Sequence, residues 1–298
     1  MRVDVTGTTP LRFADGAPVR AASGVAAYAG GWLVVQDDAT HGCLWKSGAG
    51  RAVRLVPQVD GHDTFDEASG TKALKPDLEA VVALRDGGVL ALGSGSTPAR
   101  MRAVLVSSSG HTIVGELGPV YARVGEALGV PPDQLNLEGA CVLGDVLRWF
   151  QRGLPSAGAP SSSVDLPLRP LLAAASGGPM EVPVLAVQTY DLGSVEGVGL
   201  AVTDAVALDD GRVLVSAAAE DSPTTYDDGP VVGSALALLD GDRLVGAVDL
   251  PLLDGAVAKV EGLALGAHHG APIELVAVVD ADDPAVPSLL LELAVSLG

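Results

Sequence analysis

One stretch recurs along this chain and fixes what it can fold into. Leu78 to Ser94 (LEAVVALRDGGVLALGS) is an apolar strand that begins at a polar residue, turns at an Asp/Gly pair and runs back as a second apolar strand. Thr203 to Asp221 (TDAVALDDGRVLVSAAAED) aligns with it without a gap from Glu79/Thr203 to Val89/Val213. Looser copies occupy Ser23 to Asp38, Leu137 to Gly153 and the segment from Val260 onward. Their first polar residues are Ser23, Glu79, Glu138, Thr203 and Glu261, separated by 56, 59, 65 and 58 residues. An all-strand repeat of about 60 residues is the spacing of propeller blades.

The expectation is therefore an all-β fold, a five-bladed β-propeller occupying residues 1–298 as a single domain, with blades starting near 23, 79, 138, 203 and 261. Met1 to Phe13 alternates like a strand, and so does the tail Ser288 to Leu297. Pairing the two termini in one blade closes the ring and leaves no exposed seam. Val120 to Leu128 has apolar spacing nearer 3.6 and stops at Gly129 before Pro131 and Pro132, so it reads as a short helical insertion. A second helical turn is expected within Leu166 to Ala175, and a strand over Val182 to Tyr190. An α/β fold fails because Gly/Asp turns arrive about every ten residues, leaving no room for helices between strands.

Aromatic residues are only 3% of a chain that is 48% hydrophobic, so the core must be Val, Leu and Ala. No run reaches the roughly 18–20 apolar residues of a membrane span. MRVDVTGTTPLRF lacks the apolar stretch of a secretory leader. A cytoplasmic protein without membrane contact is expected. A net charge of −19, from 37 acids and 18 bases, repels nucleic acid and anionic lipid and suits cations. Cys43 and Cys141 sit in apolar surroundings and read as reduced core residues. His41, His62, His111, His268 and His269 lie in turn-like segments and read as surface groups.

The innermost strand of every blade lines the axial channel, so equivalent residues face the axis at one height. Ser23, Glu79, Glu138, Thr203 and Glu261 form that ring. Three converging carboxylates raise one another's pKa values and call for a cation. With oxygen donors alone the cation is a hard one, and Ca2+, which takes 6–8 oxygens in flexible geometry, suits the set best. Glu196 opens a similar VEG segment just ahead of Thr203 and reads as a neighbouring loop carboxylate.

The order Ser–Glu–Glu–Thr–Glu, one residue per blade, resembles the calcium-activated nucleotidase (apyrase) family, whose five-bladed propellers bind a central calcium through a Ser–Glu–Glu–Ser–Glu ring. Local echoes are QDDATHGCLW (Gln36 to Trp45), DVLRWFQRG (Asp145 to Gly153) and AAAED (Ala217 to Asp221). The LEG and VEG repeat starts are also similar to those of esterase-like phytase propellers. The resemblance implies a small anionic or ester ligand at the channel mouth, beside the ion.

The second strands end at that mouth and present Asp37 and Asp38, Ser94 and Ser96, Gln151 and Arg152, Glu220 and Asp221, and Asp280 with Asp282. In a phosphohydrolase, calcium would clamp a phosphate oxygen, Arg100 and Arg152 would neutralise the developing charge, and Asp38 or Glu220 would act as general base. Ala39 stands where the nucleotidase pattern carries an Arg, and Ala217 to Ala219 where it carries further bases. The mouth is thus more acidic than basic, which disfavours a nucleotide. Ser94 and Ser96 lack the strand-to-helix setting of a hydrolase nucleophile, and no dinucleotide or P-loop fingerprint occurs. Two readings follow: a non-catalytic calcium propeller that binds a ligand or protein, and a calcium-dependent hydrolase.

Overall fold

A computed structural model describes residues 1–221, 229–266, 270–281 and 283–297, apart from the side chain of Ser156. It contains five antiparallel sheets arranged around an axis. Blade 1 comprises strands Ala22–Tyr28, Gly31–Gln36, His41–Lys46 and Ala49–Arg54. Blade 2 comprises Leu78–Ala83, Val89–Gly93, Arg102–Val106 and Thr112–Glu116. Blade 3 comprises Leu137–Leu143, Val146–Gln151, Ser161–Pro167 and Ala186–Tyr190. Blade 4 runs Val198–Ala207, Val213–Glu220, Val231–Asp240 and Arg243–Asp249, with the two-residue strand Ser194–Val195 folded against its inner side. Each innermost strand packs on those of the two neighbouring blades, which closes the ring.

Blade 5 carries the seam. Its strands Val260–Leu265, Ile273–Val279 and Leu289–Ser296 are completed on the outside by Arg2–Pro10, which pairs antiparallel with Leu289–Ser296. Both terminal strands therefore close the propeller as the alternation in their sequences predicts.

The buried apolar residues fall into five clusters, one at each blade junction. Leu33, Val35, Val81 and Val89 join blades 1 and 2, and Leu90, Leu92, Leu147 and Trp149 join blades 2 and 3. Phe150, Tyr190, Val202 and Ala217 join blades 3 and 4. Leu214, Leu236, Leu275 and Leu291 join blades 4 and 5, and Val25, Val34, Val276 and Val278 close the circle. Small and β-branched side chains let flat sheets approach face to face, which is why so few aromatic rings suffice.

The helix expected over Val120 to Leu128 begins two residues earlier and spans Gly118–Leu128, since Pro119 is tolerated in a first helical turn. It ends at Gly129 in the left-handed conformation, φ 67°. A second helix, Leu168–Ala175, starts once the strand ending at Pro167 is complete. The strand expected from Val182 is confined to Ala186–Tyr190. His41 departs from expectation: it opens a strand opposite Arg54 and is half-buried beside Phe13, with ring centroids 5.5 Å apart. His62 and His111 are exposed, whereas His268 and His269 lie outside the described residues. Cys43 and Cys141 are buried thiols, and burial pushes both up to about 12. Among the described residues no helix is long and apolar enough to cross a membrane.

Candidate metal centre at the axial mouth

The five repeat-start residues occupy one structural position. In every blade the register between innermost and second strand slips at that residue: at Ser23, Glu79, Thr203 and Glu261 one residue is skipped, and in blade 3 Glu138 and Gly139 are skipped together. A β-bulge re-aims the extra side chain. Three of the five are followed by glycine because the innermost strands nearly touch there. A Cβ on Gly262 would lie 2.6 Å from Gly24 Cα, and one on Gly139 would lie 2.4 Å from Asp204 Cα.

The bulges do not bring five donors to one point. Ser23 Oγ donates to Leu78 O at 2.5 Å, and Thr203 Oγ1 to Val260 O at 2.6 Å. Each hydroxyl thus staples its blade to the next, on the carbonyl just ahead of that blade's own ring glutamate. Glu79, Glu138 and Glu261 face a cavity of about 120 Å³, which Ser23 also lines and Thr203 does not. Glu196 sits in an exposed turn with φ 51°.

Two further sets of repeat-equivalent residues complete the cavity. Positions two ahead of the bulge contribute Ala21, Asp77, Asn136 and Lys259, and the residues directly after the second strands contribute Asp37, Arg152 and Asp280, with Ser96 added from the loop of blade 2. Lys75 and Arg100 also line it. Asp38 and Glu220 stand outside this lining. Asp38 pairs with Arg20 at 2.6 Å, and Glu220 pairs with the lining residues Arg152 and Lys259. Asp282 lies outside the described residues.

The charged groups form two arcs. Across blades 1 and 2, Lys75 Nζ bridges Asp37 (2.5 Å) and Asp77 (2.6 Å), and Arg100 pairs with Asp77 at 3.0 Å. Ser94 Oγ adds a hydrogen bond to Asp77. Across blades 3 to 5, Arg152 joins Glu138 (3.2 Å) to Glu220 (2.6 Å), and Lys259 joins Glu220 (3.1 Å) to Glu261 (2.9 Å). Asn136 donates a further hydrogen bond to Glu138 at 2.8 Å.

Glu79 belongs to neither chain of contacts. Among the described residues no hydrogen bond or ion pair reaches its carboxylate, although Asp37, Asp77 and Glu79 each place an oxygen within 4.8 Å of the others. Burial, followed by repulsion from Asp77 and Asp37, pushes Glu79 well above the usual carboxylate range, and Lys75 only partly opposes it. Burial also raises Asp37. Asp77, equally buried, is nonetheless held below its ordinary value by Lys75 and Arg100. On the other arc, burial raises Glu138 to about 7 against the pull of Arg152. Asp38 rises to about 6, through burial and then Asp37.

Asp204, one residue past the bulge of blade 4, carries no channel role in the sequence pattern. Its carboxylate is fully buried and accepts Leu263 N at 2.7 Å and Ala140 N at 3.3 Å, tying blade 4 to blades 5 and 3. Burial pushes it well above its ordinary value, with the backbone donors opposing.

Residues 71–284 match a family of unknown function, DUF6910, and the chain belongs to that family. No curated protein matches the sequence. Among solved structures the chain is similar to a mannose phosphorylase from Leishmania mexicana, solved with a phosphate ion, at 15% identity and a TM-score of 0.51, covering 97% of this chain and 88% of that one. A hypothetical protein from Leishmania major is 14% identical with a TM-score of 0.49, covering 98% and 90%. A luciferin-regenerating enzyme is 11% identical with a TM-score of 0.44, covering 94% and 79%. At these identities the likeness is one of fold.

Proposed function

We propose that this member of the DUF6910 family is a cation-binding propeller, holding a hard divalent ion, Ca2+ by its donor chemistry, on Asp37, Asp77 and Glu79 at the axial mouth. One observation carries the reading: three carboxylates share a space under 5 Å across, and Glu79 has no direct partner there among the described residues. An oxygen-only donor set of this charge suits a hard ion. The cavity, about 120 Å³, is well below the roughly 300–1,000 Å³ of small-molecule pockets, which suits an ion and its waters. The bound ion would neutralise the surplus charge and tie blade 1 to blade 2.

The hydrolase reading draws less support. The guanidiniums expected to clamp a phosphate, Arg100 and Arg152, are already engaged by Asp77, Glu138 and Glu220. A phosphate would have to break those buried pairs before binding. Asp38, expected as general base, faces Arg20 rather than the cavity.

Thermal melts with calcium and with chelator test the proposal. Native-state binding at 100-fold excess over Kd stabilises by about 2.7 kcal/mol, so calcium should raise Tm by several degrees. Glu79→Gln should abolish the rise while leaving the chelated protein no less stable. A chelator-insensitive wild type, with no heat of calcium binding by calorimetry, would sink the reading.

A further inference from the structure

The two ends of the axial channel are built from the same five strands and differ in kind. Every innermost strand begins at the charged mouth and runs away from it toward the turn that leads into the second strand. Residues two to four past the bulge line a second cavity at that far end, of about 780 Å³. They are Val25–Ala27, Val81–Ala83, Ala140–Val142, Ala205–Ala207 and Leu263–Leu265. All five blades contribute the same three positions, so the cavity is a product of the repeat and is walled on every side. Among the described residues no side chain in this wall is charged, although the chain has 37 acidic and 18 basic residues. Charged residues of the surrounding turns pair with one another instead, Arg212 with Asp210 at 2.6 Å and Arg85 with Asp145 at 3.9 Å. The Tyr28 hydroxyl donates to Ser107 O at 2.8 Å.

The depth of the cavity points to a small molecule. Val25, Val81 and Ala140 are at most 3% exposed, whereas Ala27 and Ala83, two positions further along the same strands as Val25 and Val81, are exposed. Two strand positions correspond to a descent of about 7 Å. A flat protein surface would bridge such a recess without filling it. The volume lies inside the roughly 300–1,000 Å³ range of small-molecule sites. Alanine at positions 27, 83 and 207 keeps the mouth open where a larger side chain would close it. Contiguous apolar surface left open in this way marks a place where something binds. Charge then decides the class of ligand. An ion entering here would give up its hydration with no counter-charge to replace it.

We propose that this cavity binds a neutral, predominantly apolar small molecule, at the end of the channel opposite the charged mouth. Phenylnaphthylamine, a neutral dye that fluoresces in apolar surroundings, tests this on the intact chain beside its sulfonated relative, anilinonaphthalene sulfonate. The neutral dye should bind saturably and one-to-one. The sulfonate should bind at least about tenfold more weakly, since its charge would be buried unpaired. Ala27→Trp and Ala83→Trp each place a bulky ring in the cavity from an exposed position and should weaken the neutral dye about tenfold or more. Melting curves of both variants should match the wild type. Leu252, 60% exposed and outside this wall, serves as the control for adsorption on surface apolar residues, and Leu252→Ser should bind the dye as the wild type does. Absence of saturable binding would overturn the proposal, and so would equal affinity for the two dyes. Binding indifferent to both tryptophans, or lost in Leu252→Ser, would do the same.

Discussion

The two ion-pair arcs at the axial mouth have the same inventory and different wiring. Counting Glu79, the arc of blades 1 and 2 holds three carboxylates and two cations, Lys75 and Arg100. The arc of blades 3 to 5 also holds three carboxylates and two cations, Arg152 and Lys259. In the second arc each cation touches two acids and no acid is left out. In the first, both cations converge on Asp77, and Glu79 stands apart. The two arcs therefore differ not in how many acids they own but in whether their internal cations reach them all, and under the proposed function this is what leaves the first arc open to an ion.

The largest expected effect lies in the closed arc. Arg152→Met removes the guanidinium between Glu138 and Glu220, leaving Glu138 only Asn136 and Glu220 without its 2.6 Å guanidinium contact, and breaking a buried pair in this way costs about 3–5 kcal/mol. Denaturant unfolding should show that loss with or without calcium. A cost below about 1 kcal/mol, the level of an exposed pair, would erase the distinction between the arcs.

Next comes the open arc, where the sign depends on the ion. Lys75→Met removes the cation between Asp37 and Asp77, so the chelated protein should lose about 2–3 kcal/mol, comparable to what saturating ligand returns. Calcium should recover most of it and bind more tightly than to wild type, because its competitor is gone. Equal losses with and without calcium would show that Lys75 alone serves this arc.

A smaller effect should appear as a pH slope. Glu138 has its folded pKa raised from 4.5 to about 7, so between those values the native state keeps a proton that the unfolded chain releases. Stability of the calcium-free protein therefore falls as pH rises from about 4.5 to about 7 and levels off above that. Glu138→Gln should flatten this part of the profile. A slope that survives the substitution would assign it to Asp37, Glu79 or Asp38 instead.

The smallest effects belong to the blade staples. Ser23→Ala and Thr203→Val each remove one buried hydrogen bond, worth about 1 kcal/mol. Neither should alter the calcium response. Loss of that response in Ser23→Ala would restore the five-donor ring as the ligand set.

The propeller itself could be read from strand periodicity and turn residues, because a 60-residue repeat has few other ways to bury two apolar strands per unit. The site was readable only in part. Alignment begins each repeat at the bulge residue, yet the chain already enters the cavity two positions earlier. There Ala21 and Asp77 adopt φ of 46° and 56°, a twist that hydrophobic patterning does not record. Asp77, the hub of the first arc, was missed for that reason. Comparing the same offset in each repeat (Ala21, Asp77, Asn136, Ala201, Lys259) was the available signal. Ser23 and Thr203 illustrate a different limit. A hydroxyl that binds a metal and one that binds a carbonyl are the same residue, and only the approach of the neighbouring strand decides between them.

The seam in blade 5 has a consequence for biosynthesis. Arg2–Pro10 leaves the ribosome well before its partner Leu289–Ser296. Until then that early strand stays without its partner strand, an open edge that other chains could pair with, while the intervening blades form. Ring completion thus becomes a late event joining two segments that the ribosome makes far apart in time, and the nascent protein depends on it to stay out of aggregates.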